Sequence, residues 1–522
     1  MTISSFSPPR DESFDGYAFV GADFVAGPDG FASFRGTGRA IGPGLDGCYA
    51  LTRRTEAGWE SGTDARGLRK LFLFRRGDIW ALSTSLHELA AHLRAHGVTL
   101  RPDLTVLRAF GVRQALTAQL NSSRTLFQDV TLVPSFCTVR IEADGPRIVA
   151  SDRDSDVPGY EEALGTHLHT WRSRFATLVA DDRTTFVADL SGGLDSRVVF
   201  AFAHASGLFE HARTRAQIAS QERMPEDFIA ASAVARQYGV ELNGPPMPMR
   251  TPTSPDQALE NWKRHSLGVY MPVYLSPHAF DALSIRCHGA GGGTFRDIFT
   301  GTTLRNRLLS TRKNFAEETF EEYSAEVLGD LESLCRMRPE VDPQKLHYRE
   351  FRNRFHFGHA PQSRTTFSPL NSILIDPIAD RPEADDRRTY FDMMDSLVPG
   401  LKNAPYDDSA KAPKSPAPSA LSARLARVRP EPGLVFAQHR PGPVEKRHQR
   451  TAFSHFYELA ERSLERSDVQ DAIGDARVIR RTRTFLREVR AQSGRPRANA
   501  PGHQDAAYAL TAALAVGAPL DP

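Results

Sequence analysis

The segment Ser191-Gly192-Gly193-Leu194-Asp195-Ser196 constrains this chain more than any other. It follows the apolar run Thr185-Phe186-Val187-Ala188-Asp189-Leu190 and precedes Arg197-Val198-Val199-Phe200-Ala201-Phe202-Ala203. That context reads as a strand, a tight glycine turn and a helix start. Two adjacent glycines let the backbone turn sharply and aim several N–H groups at one anion. The helix that follows directs its positive end into the same space. Ser191 and Ser196 add hydroxyls, and the Asp195 carboxylate suits a magnesium ion on a phosphate. The expectation is a pyrophosphate cradle in an ATP-using enzyme. The alternative for the same six residues is a plain strand-to-helix turn capped by Asp195 or Ser196.

A chain of 522 residues has room for two or three domains. Its 65 Lys and Arg against 63 Asp and Glu leave a net charge of +2, which names neither a nucleic acid nor a membrane as partner. Cys48, Cys137, Cys287 and Cys335 are scattered without metal-type spacing, so reduced thiols in a cytoplasmic protein are expected. The segment from Met1 to Phe14 is polar, so no signal peptide is evident. No apolar run reaches membrane-spanning length.

Short apolar runs dominate the first 150 residues: Gly16–Val20, Leu71–Phe74 and Ile79–Ser83, the last two joined across Arg75-Arg76-Gly77-Asp78 as a hairpin. From about residue 160 strands and helices alternate. A helix over Tyr160–Val179 precedes the strand at 185–190, and Ala216-Gln217-Ile218-Ala219 reads as the next strand. Pro225 opens a helix that Gly239 stops, and Val240-Glu241-Leu242 reads as a third strand. This order implies a doubly wound parallel sheet with its ligand at the carboxyl ends of the strands. Lys411 to Pro418 is proline-rich and reads as a mobile loop or linker. The last hundred residues read as helical, with Arg480-Arg481-Thr482-Arg483 the densest basic cluster.

On these residues the chain resembles the asparagine synthetase family, whose synthetase domain is a PP-loop ATP pyrophosphatase. Leu190 to Ser196 match that family's strand-end signature, and Asp227, Ala231, Val234, Ala235 and Gly239 follow its later spacing. His288-Gly289-Ala290-Gly291-Gly292-Gly293 falls where the family has a second nucleotide-side loop, and Ser368-Pro369-Leu370-Asn371-Ser372 resembles a further segment. The resemblance implies a nucleotide site built from Leu190, Ser191, Gly192, Gly193, Asp195, Ser196, Ile218, His288, Gly289 and Gly291, with ATP and Mg2+ required and Asp195 holding the metal. It also implies an α/β fold: an Ntn-hydrolase-like α+β sandwich over 1–150, worn from a glutaminase, then a PP-loop (adenine nucleotide alpha hydrolase-like) domain over 155–405. A Pro-rich loop or linker over 406–432 and a helical C-terminal part over 433–522 complete it.

The departures narrow the function. Glutaminase members carry a cysteine directly after Met1, whereas this chain has Thr2 there, and their Asn-Gly-Glu tripeptide is absent. Ala290 stands where the family has Glu or Tyr, and Gly293 where it has an acidic metal ligand; Asp297 is one replacement. Arg296 matches a Gly-x-Gly-Gly-x-x-x-Arg variant and is expected at a phosphate or a substrate carboxylate, with a structural arginine as the alternative. Lys411, with Lys414 and Lys446 behind it, is the candidate for stabilising departing pyrophosphate.

The function expected is an AMP-forming amide ligase that takes a small-molecule or peptide carboxylate and an amine or ammonia, without glutaminase activity. Lasso-peptide macrolactam cyclisation and β-lactam synthesis are intramolecular versions of that chemistry. A tRNA-modifying enzyme and a catalytically inactive nucleotide-binding homologue are the competing classes. No nucleic acid or membrane partner is expected, and a homodimer is one assembly to test.

Overall fold

Short, largely buried runs pair into two facing sheets at the N-terminal side. The structure is a computed structural model that describes residues 1–151, 158–211, 215–244, 251–294, 301–360, 363–381, 386–438, 449–491 and 502–520. Strands β1 (Thr2–Ser4), β6 (Phe72–Arg76), β7 (Ile79–Ser83) and β8 (Val130–Leu132) form a four-stranded antiparallel sheet, ordered β1-β7-β6-β8. The β6–β7 hairpin turns at Gly77-Asp78, where Gly77 adopts φ +59°. The second sheet contains β2 (Ser13–Val20), β3 (Asp23–Ala26), β4 (Gly47–Thr55), β5 (Gly58–Thr63), β9 (Cys137–Glu142) and β10 (Gly145–Ala150). Leu71, Leu73, Trp80 and Leu82 from the first sheet pack on Cys137, Val139 and Ile141 from the second, closing a sandwich.

The third sheet is the expected all-parallel one. Strands β11 (Thr185–Asp189), β12 (Ala216–Ala219), β13 (Asp281–Cys287) and β14 (Arg364–Phe367) are ordered β12-β11-β13-β14. Phe186, Val187 and Ala188 of β11 are all buried, as a central parallel strand requires. Helices Tyr160–Ala180 and Leu194–Ala205 pack against this sheet through Trp171, Phe175, Val199 and Phe202. Val240-Glu241-Leu242 does not form the expected third strand: only a single parallel bridge joins Ile218 to Leu242. Asn243, with φ +53°, turns the chain away immediately afterwards.

The cores cross the expected divisions. Tyr17, Phe19 and Phe24 of the sandwich share a core with the parallel sheet. Phe72 and Phe74 share another with the C-terminal helices Gln449–Glu465 and Gly502–Val516. A strand β15 (Val435–Phe436) joins β3 in parallel and completes a seven-stranded sheet, ordered β10-β9-β5-β4-β2-β3-β15.

Residues 406–432, expected as a loop or linker, are mostly exposed but tied to the fold at a few points. Lys402 Nζ donates to the Ala417 carbonyl at 2.7 Å and Asn403 Nδ2 to the Pro416 carbonyl at 3.0 Å. A short helix, Ala420–Leu425, follows, capped by Ser419. Proline lowers the entropy of this stretch in the unfolded chain, so a few outside donors suffice to fix it.

Candidate active site

Strand β11 ends at Asp189, whose carboxylate takes two 2.9 Å bonds from Arg286 on β13. The chain turns through Ser191-Gly192-Gly193 and enters helix Leu194–Ala205. Gly193 is the N-cap and no side chain caps the helix, so neither Asp195 nor Ser196 plays the capping role of the alternative reading. Ser191 N donates to Ser196 Oγ at 3.0 Å, the two hydroxyl oxygens lie 2.9 Å apart, and Gly193 N donates to Ser191 Oγ at 3.2 Å. Gly192 N donates to Asp227 Oδ1 at 2.9 Å. The turn is held by its own hydroxyls and one outside carboxylate. The helix start has no side-chain cap, as an anion seat requires.

The loop after β13 closes over this turn. His288 N donates to the Phe367 carbonyl, and His288 Nδ1 accepts from Ala290 N at 3.2 Å. Burial first, then the charges of Arg286, His359 and Arg364, push His288 down to about 3, so its ring is neutral at neutral pH. A methyl group on Gly289 would lie 2.7 Å from both Asp195 Cβ and Ser196 N, and one on Gly292 would overlap the Asp195 carboxylate and the Tyr390 hydroxyl. Asp195 Oδ1 accepts from Tyr390 Oη at 2.5 Å. The glycines at 289 and 292, both in this second loop, are therefore set by close approach to Asp195 at the start of the cradle helix. Gly291, at φ +99°, turns against Asn371 of the Ser368–Ser372 segment.

Lys411 is joined to this turn through Asp407. It ends a 3-10 turn, Ser409–Lys411, and its Nζ lies 2.6 Å from Asp407 Oδ2. Asp407 sits directly on Gly192: a methyl group there would lie 2.8 Å from Asp407 Cγ and 2.9 Å from Asp407 N. Arg197, fully buried in the cradle helix, donates to the Ala404 carbonyl at 2.7 Å and the Pro405 carbonyl at 2.5 Å, with its guanidinium 3.7 Å from the Tyr406 ring centroid. Sequence reading missed Asp407 and Tyr390. Their one advance signal was Arg197, a cation inside an apolar helix that has to find buried acceptors.

The other expected residues fall as follows. Leu190 and Ile218 are buried at the strand ends, and the Ile218 carbonyl accepts from Asn243 N. Lys414 is exposed. Arg296, Asp297 and Lys446 lie outside the described residues. Thr2 lies in β1 with its hydroxyl 2.9 Å from Ser83 Oγ, and the Met1 amine donates to Thr84 Oγ1 at 3.3 Å. Of the basic cluster, Arg481 is bidentate to Asp505 and Arg483 donates to the Leu464 carbonyl.

Among the described residues no group of three or more His, Cys, Asp or Glu side chains is arranged to hold a metal. Asp195 is the carboxylate at this turn that could touch a magnesium ion carried on nucleotide phosphates. The uncapped helix start and the close-packed glycines fit the phosphates themselves. Beside the second loop lies a cavity of about 390 Å³ lined in part by Gln119, Asn121, Tyr348 and Arg352. Tyr348 is the shared wall, with its hydroxyl 2.6 Å from where a Gly293 methyl group would be. No protein-family model and no curated protein sequence matches this chain. No helix among the described residues is long and apolar enough to cross a membrane.

Proposed function

We propose that this chain is an ATP-dependent amide ligase with an asparagine synthetase-like PP-loop domain and a glutaminase-like sandwich that has lost its nucleophile. The observation that carries the reading is the meeting of two glycine loops and the uncapped helix start at Asp195, with Lys411 held on Asp407, which rests on Gly192. A carboxylate is a poor acyl electrophile because its oxygen is a poor leaving group. Attack of a substrate carboxylate oxygen on the α-phosphorus of ATP breaks the bond to the β-phosphate oxygen. The products are an acyl-adenylate and pyrophosphate. An amine then attacks the acyl carbon, AMP leaves with the C–O bond electrons, and the amine nitrogen loses a proton.

In this reading the turn at 191–193 and the helix start hold the phosphates, where fixed N–H dipoles act without reorganisation. Magnesium, when bound, screens the charge of the departing pyrophosphate. Asp195 holds a place for it, oriented by the Tyr390 hydroxyl. Lys411 supplies a cation on the same side. The cavity behind Tyr348 is the candidate seat for the acid or the amine. With Thr2 engaged in a strand, the nitrogen comes from ammonia or from an amine on a substrate, and an amine on the same molecule gives a lactam.

The test is ATP–pyrophosphate exchange across a panel of carboxylic acids, with AMP followed in parallel. Exchange supported by at least one acid and reduced about a hundredfold or more in Asp195→Ala is expected. ATP binding without exchange or AMP across the whole panel would sink the ligase reading and leave a nucleotide-binding homologue.

A further inference from the structure

Asp407 is built onto the glycine turn more firmly than a surface carboxylate needs to be. Its Cβ, Cγ and backbone nitrogen all occupy the space that a side chain at position 192 would take. Its N–H points to the Gly192 carbonyl at 3.4 Å. The preceding residues are tied to the cradle helix itself: Arg197 holds the carbonyls of Ala404 and Pro405 and stacks on Tyr406. Asp408 caps the following 3-10 turn by accepting from Ala410 N at 2.9 Å. The segment from 404 to 411 therefore moves with the cradle.

The two oxygens of Asp407 have different fates. Oδ2 takes the Lys411 ammonium at 2.6 Å, while Oδ1 is buried without a hydrogen-bond partner. Leaving a carboxylate oxygen in this state costs stability, so the placement is not explained by folding alone. Lysine has a flexible four-carbon stem and three donors on its nitrogen. One donor on Asp407 leaves two for another acceptor, and the Lys411 side chain is one-third exposed.

We propose that Asp407 is a positioning residue that holds the Lys411 ammonium at the glycine turn, ready to donate to a pyrophosphate oxygen while still bound to Oδ2. The proposal rests on the ligase reading only in taking this turn as the pyrophosphate seat. It makes the Pro-rich stretch part of the site, and gives Gly192 a role in admitting Asp407 as well as in shaping the turn.

Charge and position predict opposite signs. Removing a carboxylate close to an anion site tightens anion binding if charge alone matters. If Asp407 acts by placing Lys411, its removal weakens binding instead. The experiment is isothermal titration of the full chain with inorganic pyrophosphate and magnesium chloride, on wild type, Lys411→Ala, Asp407→Asn, the double variant and Asp407→Glu. Loss of one charged hydrogen bond is expected to weaken pyrophosphate binding about tenfold in Lys411→Ala, and somewhat less in Asp407→Asn. The double variant is expected to match Lys411→Ala within about twofold, because both changes remove one shared contact. Asp407→Glu keeps the charge but does not fit the seat on Gly192, and weakens binding as well. Thermal melts of each variant check that the fold is kept, and Asp407→Glu and Lys411→Ala provide independent arms if Asp407→Asn is unstable. Tighter binding by Asp407→Asn, or losses that multiply in the double variant, overturns the role of Asp407 while leaving the cradle intact. A wild type that does not bind pyrophosphate removes the seat, and both readings fall together.

Discussion

The two adjacent glycines of the cradle are equivalent in sequence terms, and the structure makes them unequal. At Gly193 the nearest atom to an added methyl is Ser191 Oγ, at 3.4 Å, and φ is −84°, which alanine adopts without strain. At Gly192 the methyl would lie 2.8 Å from Asp407 Cγ and 2.9 Å from Asp407 N, about 1 Å inside ordinary contact. That overlap has no soft exit, because Arg197 and Tyr406 hold the chain just before Asp407. Overpacking of this kind costs about 1–3 kcal/mol. Alanine at a compatible glycine instead stabilises by about 0.4–1 kcal/mol through the unfolded chain. Gly192 also has a negative φ, so this gain applies to both variants, and Gly192→Ala is expected to be less stable than Gly193→Ala by roughly 1–3 kcal/mol. Urea titration of both variants, followed by tryptophan fluorescence and far-UV circular dichroism, reads the difference. Equal stabilities, or the reverse order, would show that Asp407 does not rest on Gly192, and the argument about Lys411 would go with it.

Two further outcomes test the packing between the layers. Lys70 is buried, and its ammonium faces the Phe355 ring, 5.3 Å from the centroid; burial pushes it down to about 8. From its ordinary 10.5 this corresponds to roughly 3 kcal/mol against the charged form, partly offset by the ring. Because the folded pKa is the lower one, the unfolded chain binds the extra proton between about 8 and 10.5, and wild-type stability rises with pH through that window. Lys70→Met should melt higher than wild type at pH 7 by an amount worth about 2 kcal/mol, and the gap should narrow by pH 9.5; a constant gap refutes this. Asp376 serves two buried arginines, Arg66 at 2.7 Å and Arg349 at 3.3 Å. Asp376→Asn strands the charge of Arg66, whereas Arg349 keeps Asp380 at 2.7 Å; the change should cost about 3 kcal/mol in the same urea assay, and a loss below about 1 kcal/mol would mean that the carbonyls of Asn371 and Ser372 suffice for Arg66.

How much of this was legible in the sequence depends on the distance between interacting residues. The cradle was readable because strand, turn and helix start are contiguous, and each local preference agrees with the others. The hairpin at Gly77-Asp78 was readable for the same reason. Asp407 was not, because its meaning lies in contact with Gly192 across 215 residues, and its neighbours have the composition of a linker. Thr2–Ser4 became a strand despite its polarity because the edge of β7 offers it three paired residues. Val240-Glu241-Leu242 has strand composition but meets the edge strand β12 at one bridge only, since Asn243 turns the chain off the sheet.

The sandwich also has a physical use that does not depend on glutamine. Its Arg66 donates to the carbonyls of Asn371 and Ser372, and its Asp46 accepts from Ser372 Oγ at 2.6 Å and Ile373 N at 2.8 Å. Asn371 is the residue against which Gly291 turns, and Gly289 and Gly292 of the same loop meet Asp195. The sandwich therefore buttresses the second glycine loop through the 371–373 segment, and the cradle depends on that loop for closure. Removing this layer would take away the support of the 371–373 segment and, through Asn371 and the second glycine loop, the geometry at Asp195.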